Sequence, residues 1–386
     1  MKKVAISAEN NLFNCNRILN SGWAKKFPGA SWLPLFKEAL DSNFDVVTAD
    51  VALDHVQCGY WDVSDIVVVQ HADDDCTRLL VEKGAMPLIL MCFESPLYVG
   101  EFYDRAIELA NRFEHHVLFS GLHTPDIMKN NGRHQVAFPS YFLKDLSHST
   151  PPWAHRKFMA AVIGNKYVAA SGGPSLNAPM EWVWWLLKMA AQFKSGLVAS
   201  RRFPVKRVQL LDMRLGAITF FMKLGLLDLY GTRWNRLYNL PPSWQRKLRP
   251  IFKAHPPQSC QNKLETIMNY RYCLCIENAK FPGYVTEKLI ECLVAGVIPL
   301  YMGAPDIEKY IPVDCFIDLR EHSSWENLLQ YLQTLSEEDC MAMIACGKKF
   351  LESDKGRSYS YEGFSEFMAN IVRVKWEELT CSPTGD

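Results

Sequence analysis

Glu287 and Lys288 stand side by side just after Tyr284, at the start of an apolar-periodic run. A carboxylate there can accept hydrogen bonds from ribose hydroxyls, and an ammonium group can neutralise phosphate oxygens. On a helical wheel Val285, Leu289, Ile290, Leu293 and Val294 fill one arc, and Glu287, Lys288 and Glu291 fill the other. The pair is therefore expected on the open face of a helix, at its amino end. Unpaired N–H groups and partial positive charge at that end suit a diphosphate. Asn278 and Tyr284 flank the same stretch. Glu277 falls on the opposite side of its strand from Asn278 by the two-residue period, as a buried structural carboxylate would. Two further groups carry useful chemistry. Arg214 offers a planar fork for phosphate oxygens, with Arg202 and Arg207 as nearby alternatives. Glu94 directly follows the apolar run Leu88–Phe93, and Ser95-Pro96 after it has the pattern of an N-cap and first helical residue.

These residues need a scaffold that brings strand ends together, and the pattern supplies one. Short apolar strands are predicted at Val4–Ser7, Asp45–Thr48, Ile66–Gln70, Leu88–Phe93 and Val117–Ser120, with amphipathic or polar stretches between them. Such alternation makes a parallel, doubly wound α/β sheet. Pro151-Pro152 breaks the series. A second series follows, with strands at Phe158–Ile163, Leu226–Tyr230, Tyr272–Ile276, Val297–Tyr301 and Cys315–Leu319. Its helices are predicted near Glu181–Lys194, Gln209–Leu224, Val285–Val294, Ser324–Leu335 and Glu337–Leu351, and another near Tyr361–Trp376 ends the pattern. The expected division is an amino-terminal domain over 1–150, a second over 153–352, and a carboxyl-terminal helix and tail over 353–386. Strand, turn and helix order puts Lys288 at the carboxyl edge of the second sheet, where open α/β folds bind ligands.

Composition narrows the class. The 386 residues are 48% apolar and 22% charged, with zero formal net charge, so nothing favours disorder or a nucleic-acid partner. No apolar run is long enough to span a bilayer, and the polar amino end does not read as a signal peptide, which gives the expectation of a cytoplasmic protein without a built-in anchor. The twelve cysteines are scattered without a CxxC pair and read as reduced thiols, and the histidines show no metal-ligand spacing. The stretch from Gly231 to Lys253 interleaves bases with aromatics. It could lean on lipid headgroups, stack on sugars or be a plain surface loop, and its prolines argue against a long helix there.

The ordered block Ile276-Glu277-Asn278, Tyr284, Val285-Thr286-Glu287-Lys288, Ala295-Gly296, Ile298-Pro299 and Gly303 resembles the signature of the α1,3/α1,4-fucosyltransferases. The match is dense over about fifty residues and collinear but weaker elsewhere. The resemblance implies a GT-B fold, two Rossmann-like domains facing across a cleft, and an inverting, metal-independent transfer of fucose from GDP-fucose to a glycan hydroxyl. It implies donor-binding roles for Arg214, Asn278, Tyr284, Glu287 and Lys288, with Glu94, in an ESP-type run, as the base on the acceptor side. The acceptor would be a bacterial surface polysaccharide, lipopolysaccharide or a lipid-linked precursor, reached from the cytoplasm at the inner face of the membrane, with peripheral membrane contact. Asp73-Asp74-Asp75 follows a strand, as the DxD of metal-dependent GT-A enzymes does, but lies in the acceptor half and is read as a turn or helix cap. The span Lys166–Pro204, with Trp182, Trp184 and Trp185, looks like an insertion. The rival readings are a GT-B enzyme using another GDP- or UDP-sugar, and a nucleotide- or glycan-binding module without catalysis.

Overall fold

The computed structural model describes residues 2–7, 12–40, 42–122, 132–147, 149–167, 179–194 and 200–381. The chain forms two compact units, one of Met1–Phe93, Asp104–Leu143 and Lys355–Asp386, the other of Glu94–Tyr103 and Lys144–Asp354. This differs from the expected simple division. The closing segment belongs to the first unit rather than standing apart, and a ten-residue excursion beginning at Glu94 joins the second.

The first unit is built on six parallel strands, β1 (Lys2–Ile6), β2 (Phe44–Thr48), β3 (Ile66–His71), β4 (Met86–Met91), β5 (His115–Leu118) and β6 (Gly132–Gln135). Their order is β2-β1-β3-β4-β5-β6. Each residue of β3, Ile-Val-Val-Val-Gln-His, is buried, as a central strand covered on both faces requires. The edge strand β6 was not expected, because Gly-Arg-His-Gln carries no apolar alternation. The helix Tyr361–Cys381 returns to the first unit, meeting Trp32 edge-on with the Phe364 ring at 5.1 Å and bonding Ser365 Oγ to the Trp32 carbonyl at 2.7 Å.

The second unit holds five parallel strands, β7 (Lys157–Val162), β8 (Leu227–Tyr230), β9 (Tyr270–Ile276), β10 (Ile298–Met302) and β11 (Ile317–Asp318), in the order β11-β10-β9-β7-β8. Its core includes Met159, Ile218, Phe221, Leu274, Leu300 and Leu328, drawn from the strands and their covering helices. Gly231, directly after β8, has φ 131°, and a Cβ there would lie 2.2 Å from the Ile163 carbonyl oxygen. Only glycine lets the ends of β8 and β7 approach this closely.

Pro242–Ala254 is a thirteen-residue helix, not the irregular basic stretch that its prolines suggested. The opening proline occupies the first turn, where its missing N–H costs nothing, and Pro250 sits one turn before the end. The predicted insertion Lys166–Pro204 falls partly outside the described residues; within it Pro179–Lys194 is helical.

Candidate active site

The carboxyl end of β9 delivers Glu277 and Asn278, and the loop after it leads into the helix Glu287–Val294. That helix ends where it must. Ala295 is its last cap, and Gly296 follows in the left-handed region at φ 62°. Leu289 to Val294 are all buried, Glu291 included, so the polar arc expected to face solvent is covered as well. Glu291 is charge-paired with Lys263 from the preceding short helix. The neighbouring chain thus packs over both faces, which a helical wheel cannot reveal.

Glu277 organises the mouth of this helix. Fully buried, its Oε1 accepts the Thr286 N–H at 3.0 Å and the Thr286 hydroxyl at 2.7 Å. Its Oε2 accepts from Lys288 Nζ at 3.0 Å. The same ammonium reaches Thr286 Oγ1 at 3.0 Å and Glu287 Oε1 at 3.2 Å. Lys288 is therefore held between two carboxylates, its side chain only 13% exposed. Burial pulls the Lys288 pKa down, but Glu277 and Glu287 outweigh it and the net shift is upward. Burial likewise pushes Glu287 up, yet Lys288 and Lys263 bring it to about 2. Both groups stay charged at neutral pH.

Gly303 makes room for this arrangement. A Cβ there would lie 2.4 Å from Tyr301 Oη and 2.6 Å from Glu277 Cγ. Tyr301 Oη in turn accepts the Ala304 N–H at 2.9 Å and bonds the Tyr284 carbonyl at 3.4 Å, tying the β10 end to the signature loop.

Arg214 lies on the first turn of the helix Leu211–Lys223 and is buried. A short antiparallel bridge between Gln209 and Ala279 fastens the start of that helix to the loop after β9. Arg214 Nη2 donates to the Ile276 carbonyl at 2.6 Å and to Asn278 Oδ1 at 2.9 Å, while its Nε has no hydrogen-bond partner among the described residues. Burial lowers its pKa, opposed by Tyr98, Glu277, Tyr284 and Glu287 around it. Arg214 and Lys288 thus approach the same carboxyl strand end from two elements. Of the other two arginines, Arg202 is exposed and lies over the Phe203 ring, and Arg207 is exposed.

Glu94 is exposed and follows β4 after two residues. Ser95 and Pro96 form a turn here instead of starting a helix, with Tyr98 N bonded to the Ser95 carbonyl at 3.0 Å; the helix begins at Gly100. Glu94 lines a cavity of about 420 Å³ together with Tyr98, Asn165, Lys166, Lys188 and Arg233. Burial pushes the Tyr98 phenol up to about 12, with Glu94 adding to the rise and Arg214 and Lys288 opposing it. Tyr284, pushed up by burial, also feels the Glu94 charge. Tyr98 thus lies within electrostatic reach of Glu94, Arg214 and Lys288, and Tyr284 within reach of Glu94 and Arg214. Sequence reading missed Tyr98, and a single tyrosine in a turn leaves no signal that could have found it. Asn165 was missed too. Its Nδ2 contacts the carbonyls of Arg233 and Arg236 at 3.3 Å, fixing a loop in which Arg233 takes φ 67°.

The three aspartates of the Asp73 triplet have separate structural partners. Asp73 accepts from Arg105 at 2.6 Å, Asp74 caps the helix Asp75–Glu82 through Thr77 N at 2.7 Å, and Asp75 pairs with Arg78. This matches a turn and helix cap. Among the described residues one group has metal-ligand spacing: the buried thiols of Cys273, Cys275 and Cys292, their sulfurs within 4.8 Å of one another. They fill the space between β9 and the helix Glu287–Val294, beneath Lys288.

The parallel sheets and their strand orders define the class. Anabaena HepE in complex with UDP-glucose superposes with a TM-score of 0.53 over 97% of this chain and 99% of its own, at 8% identity. A crystallised α1,3-fucosyltransferase with GDP gives 0.50 over 96% and 90%, at 13% identity. The fold is that of the GT-B glycosyltransferases. Residues 227–343 match the carboxyl-terminal profile of glycosyltransferase family 10 (fucosyltransferase). The α-(1,3)-fucosyltransferase FucT of Helicobacter pylori is 28% identical over 105 residues, 27% of this chain and 22% of that protein. Human 4-galactosyl-N-acetylglucosaminide 3-α-L-fucosyltransferase FUT6 is 30% identical over 112 residues, 28% and 31% of the two chains. The chain thus aligns with less than a third of the length of these relatives. The likeness to the family-10 fucosyltransferases lies in the segment from Leu227 to Met343.

Proposed function

We propose that this protein is an inverting glycosyltransferase that moves fucose from GDP-fucose to a hydroxyl of a glycan acceptor. The observation that carries this reading is the overlap of the family-10 segment with the buried Glu277–Lys288–Glu287 cluster facing Arg214. In it the departing diphosphate is neutralised by Lys288, by the unpartnered edge of Arg214 and by the helix mouth. Glu287 accepts the ribose hydroxyls, and Asn278 and Tyr284 shape the donor pocket. Glu94 takes the proton from the acceptor hydroxyl as its oxygen attacks the anomeric carbon from the side opposite GDP, which inverts the configuration. In this scheme Lys288, Arg214 and the helix amino end supply the positive charge, so turnover is expected in EDTA.

The acceptor in this proposal is a bacterial surface polysaccharide or its lipid-linked precursor, fucosylated in α1,3 linkage at the inner face of the membrane. No described helix is long and apolar enough to cross a bilayer. The alternative donor is a UDP-sugar, favoured by the comparable superposition on HepE with UDP-glucose bound. One experiment separates these readings: purified protein, EDTA, a panel of GDP- and UDP-sugars, and release of the nucleotide measured with mixed glycan acceptors. GDP-fucose turnover that Lys288→Ala lowers by about 2–4 kcal/mol in transition-state stabilisation is the expected result. Turnover with a UDP-sugar alone, or restored only by manganese, overturns the donor or the metal-free scheme.

A further inference from the structure

The helix Pro179–Lys194 turns its apolar side outward. Met180, Val183, Leu186 and Leu187 are 71%, 58%, 58% and 68% exposed, and the exposed Ala190 and Ala191 continue their three- and four-residue spacing. That spacing lines one stripe of a helix. The opposite side is the one that holds the helix to its unit. Glu181 accepts the Ser243 N–H at 3.1 Å, the Trp184 indole donates to the Tyr238 carbonyl at 2.9 Å, and Lys188 Nζ bonds Asn239 Oδ1 at 2.5 Å. An amphipathic helix normally buries its apolar stripe; this one turns its hydrogen-bonding anchors toward its unit and presents the stripe.

The adjacent helix Pro242–Ala254 supplies charge of one sign. It carries no acidic residue, and Arg246, Lys247, Arg249 and Lys253 are all exposed. None of the four forms an ion pair with a described residue. A groove of about 740 Å³ runs between the helices, walled by Met180, Val183 and Leu187 on one side and Arg246 and Arg249 on the other. An apolar stripe beside unpaired cations, with the nearby carboxylates of Glu181 and Asp212 bonded to the Ser243 N–H and the Trp244 indole, is the arrangement that lies in a bilayer interface. The stripe enters the acyl boundary and the cations meet phosphate or carboxylate headgroups. A helical protein partner would be matched by the stripe alone and gives no role to four cations free of counter-charge.

We infer that the helices Pro179–Lys194 and Pro242–Ala254 together form a docking surface for a bilayer bearing anionic headgroups. This holds whichever sugar nucleotide the protein uses. The test is sedimentation of the purified protein with vesicles of phosphatidylcholine alone and of phosphatidylcholine with phosphatidylglycerol. Binding is expected to the anionic vesicles, weaker at high salt, and lost in Val183→Glu/Leu187→Glu, whose exposed positions leave the near-ultraviolet circular dichroism unchanged. Arg246→Ala/Arg249→Ala should weaken partition by about fivefold per cation removed. Equal binding to both vesicle types, or retained binding by the glutamate variant, overturns the inference. A concentration-dependent dimer that Val183→Glu/Leu187→Glu abolishes, without vesicle binding by the wild type, would give the stripe to a second copy instead.

Discussion

Replacing Glu277 by Gln isolates the charge that holds the helix mouth. Glutamine keeps the Oε1 that accepts from Thr286 N and Oγ1, so two of three hydrogen bonds survive. It removes the buried negative charge 3.0 Å from Lys288 Nζ and turns an NH₂ toward an ammonium. Breaking a buried pair costs about 3–5 kcal/mol. Glu287 remains at 3.2 Å to satisfy Lys288, which puts the loss at the lower end, about 3 kcal/mol. For a unit of about 200 residues, 1 kcal/mol moves the melting midpoint by about 2–4 °C, so a drop of about 6–12 °C is expected. Thermal unfolding measures the drop, and a double-mutant cycle with Lys288→Met assigns it. The double variant should lose less than the two single losses combined. A Glu277→Gln protein melting at the wild-type temperature, or strict additivity in the cycle, would refute the claim that this carboxylate exists to hold Lys288.

Glu94→Gln should cut transfer by about a hundred- to ten-thousandfold while GDP-sugar affinity stays near wild type, since only the proton acceptor is lost; lost affinity in a binding titration would place Glu94 with the donor instead. Glu287, lowered to about 2 in the folded state, contributes stability that is fully present above the unfolded carboxylate value of about 4.3 and lost as pH falls through 2. Unfolding midpoints followed from pH 6 to pH 2 should therefore decline more steeply below about 4 in the wild type than in Glu287→Gln. Gly303→Ala forces a Cβ against Tyr301 Oη and Glu277 Cγ, with an expected cost of about 1–3 kcal/mol and weaker GDP binding by calorimetry. Gly29→Ala, whose Cβ would meet nothing within 4 Å, is the control and should be near neutral.

The strands legible in the sequence were those carrying a short apolar run that is largely buried. Residues 66–69 and 272–276 are such runs, buried throughout, and no other element type suits so short a run. Gly132–Gln135 was invisible because an edge strand needs no apolar code when one neighbour supplies its hydrogen bonds. The helix Pro242–Ala254 was hidden by counting prolines without weighing where in a helix each one falls. At the site, local order gave the neighbourhood of Lys288, because the block is contiguous. It did not give the partners that approach from elsewhere. Lys263 covers Glu291, Gly303 admits Glu277, and Tyr98 stands among the charges from a segment nearly two hundred residues away. Such convergence is set by packing between distant segments, which periodicity does not encode.

The return of the last helix to the first unit has a consequence for biosynthesis. Trp32 leaves the ribosome 333 residues before Ser365, the residue that caps its carbonyl, and 332 before the Phe364 ring that packs edge-on against it. At about 5–20 residues per second, the earliest-made sheet waits roughly 15–65 s for its closing piece. Meanwhile the chain from Lys144 to Asp354 emerges whole and can fold beside it. The unit synthesised first is thus the one finished last, with Trp32, Phe36 and Phe93 uncovered in the interval. A nascent chain stalled at Asp354 should therefore expose this aromatic patch to holdase chaperones, and crosslinking to them should cease once the helix Tyr361–Cys381 clears the exit tunnel.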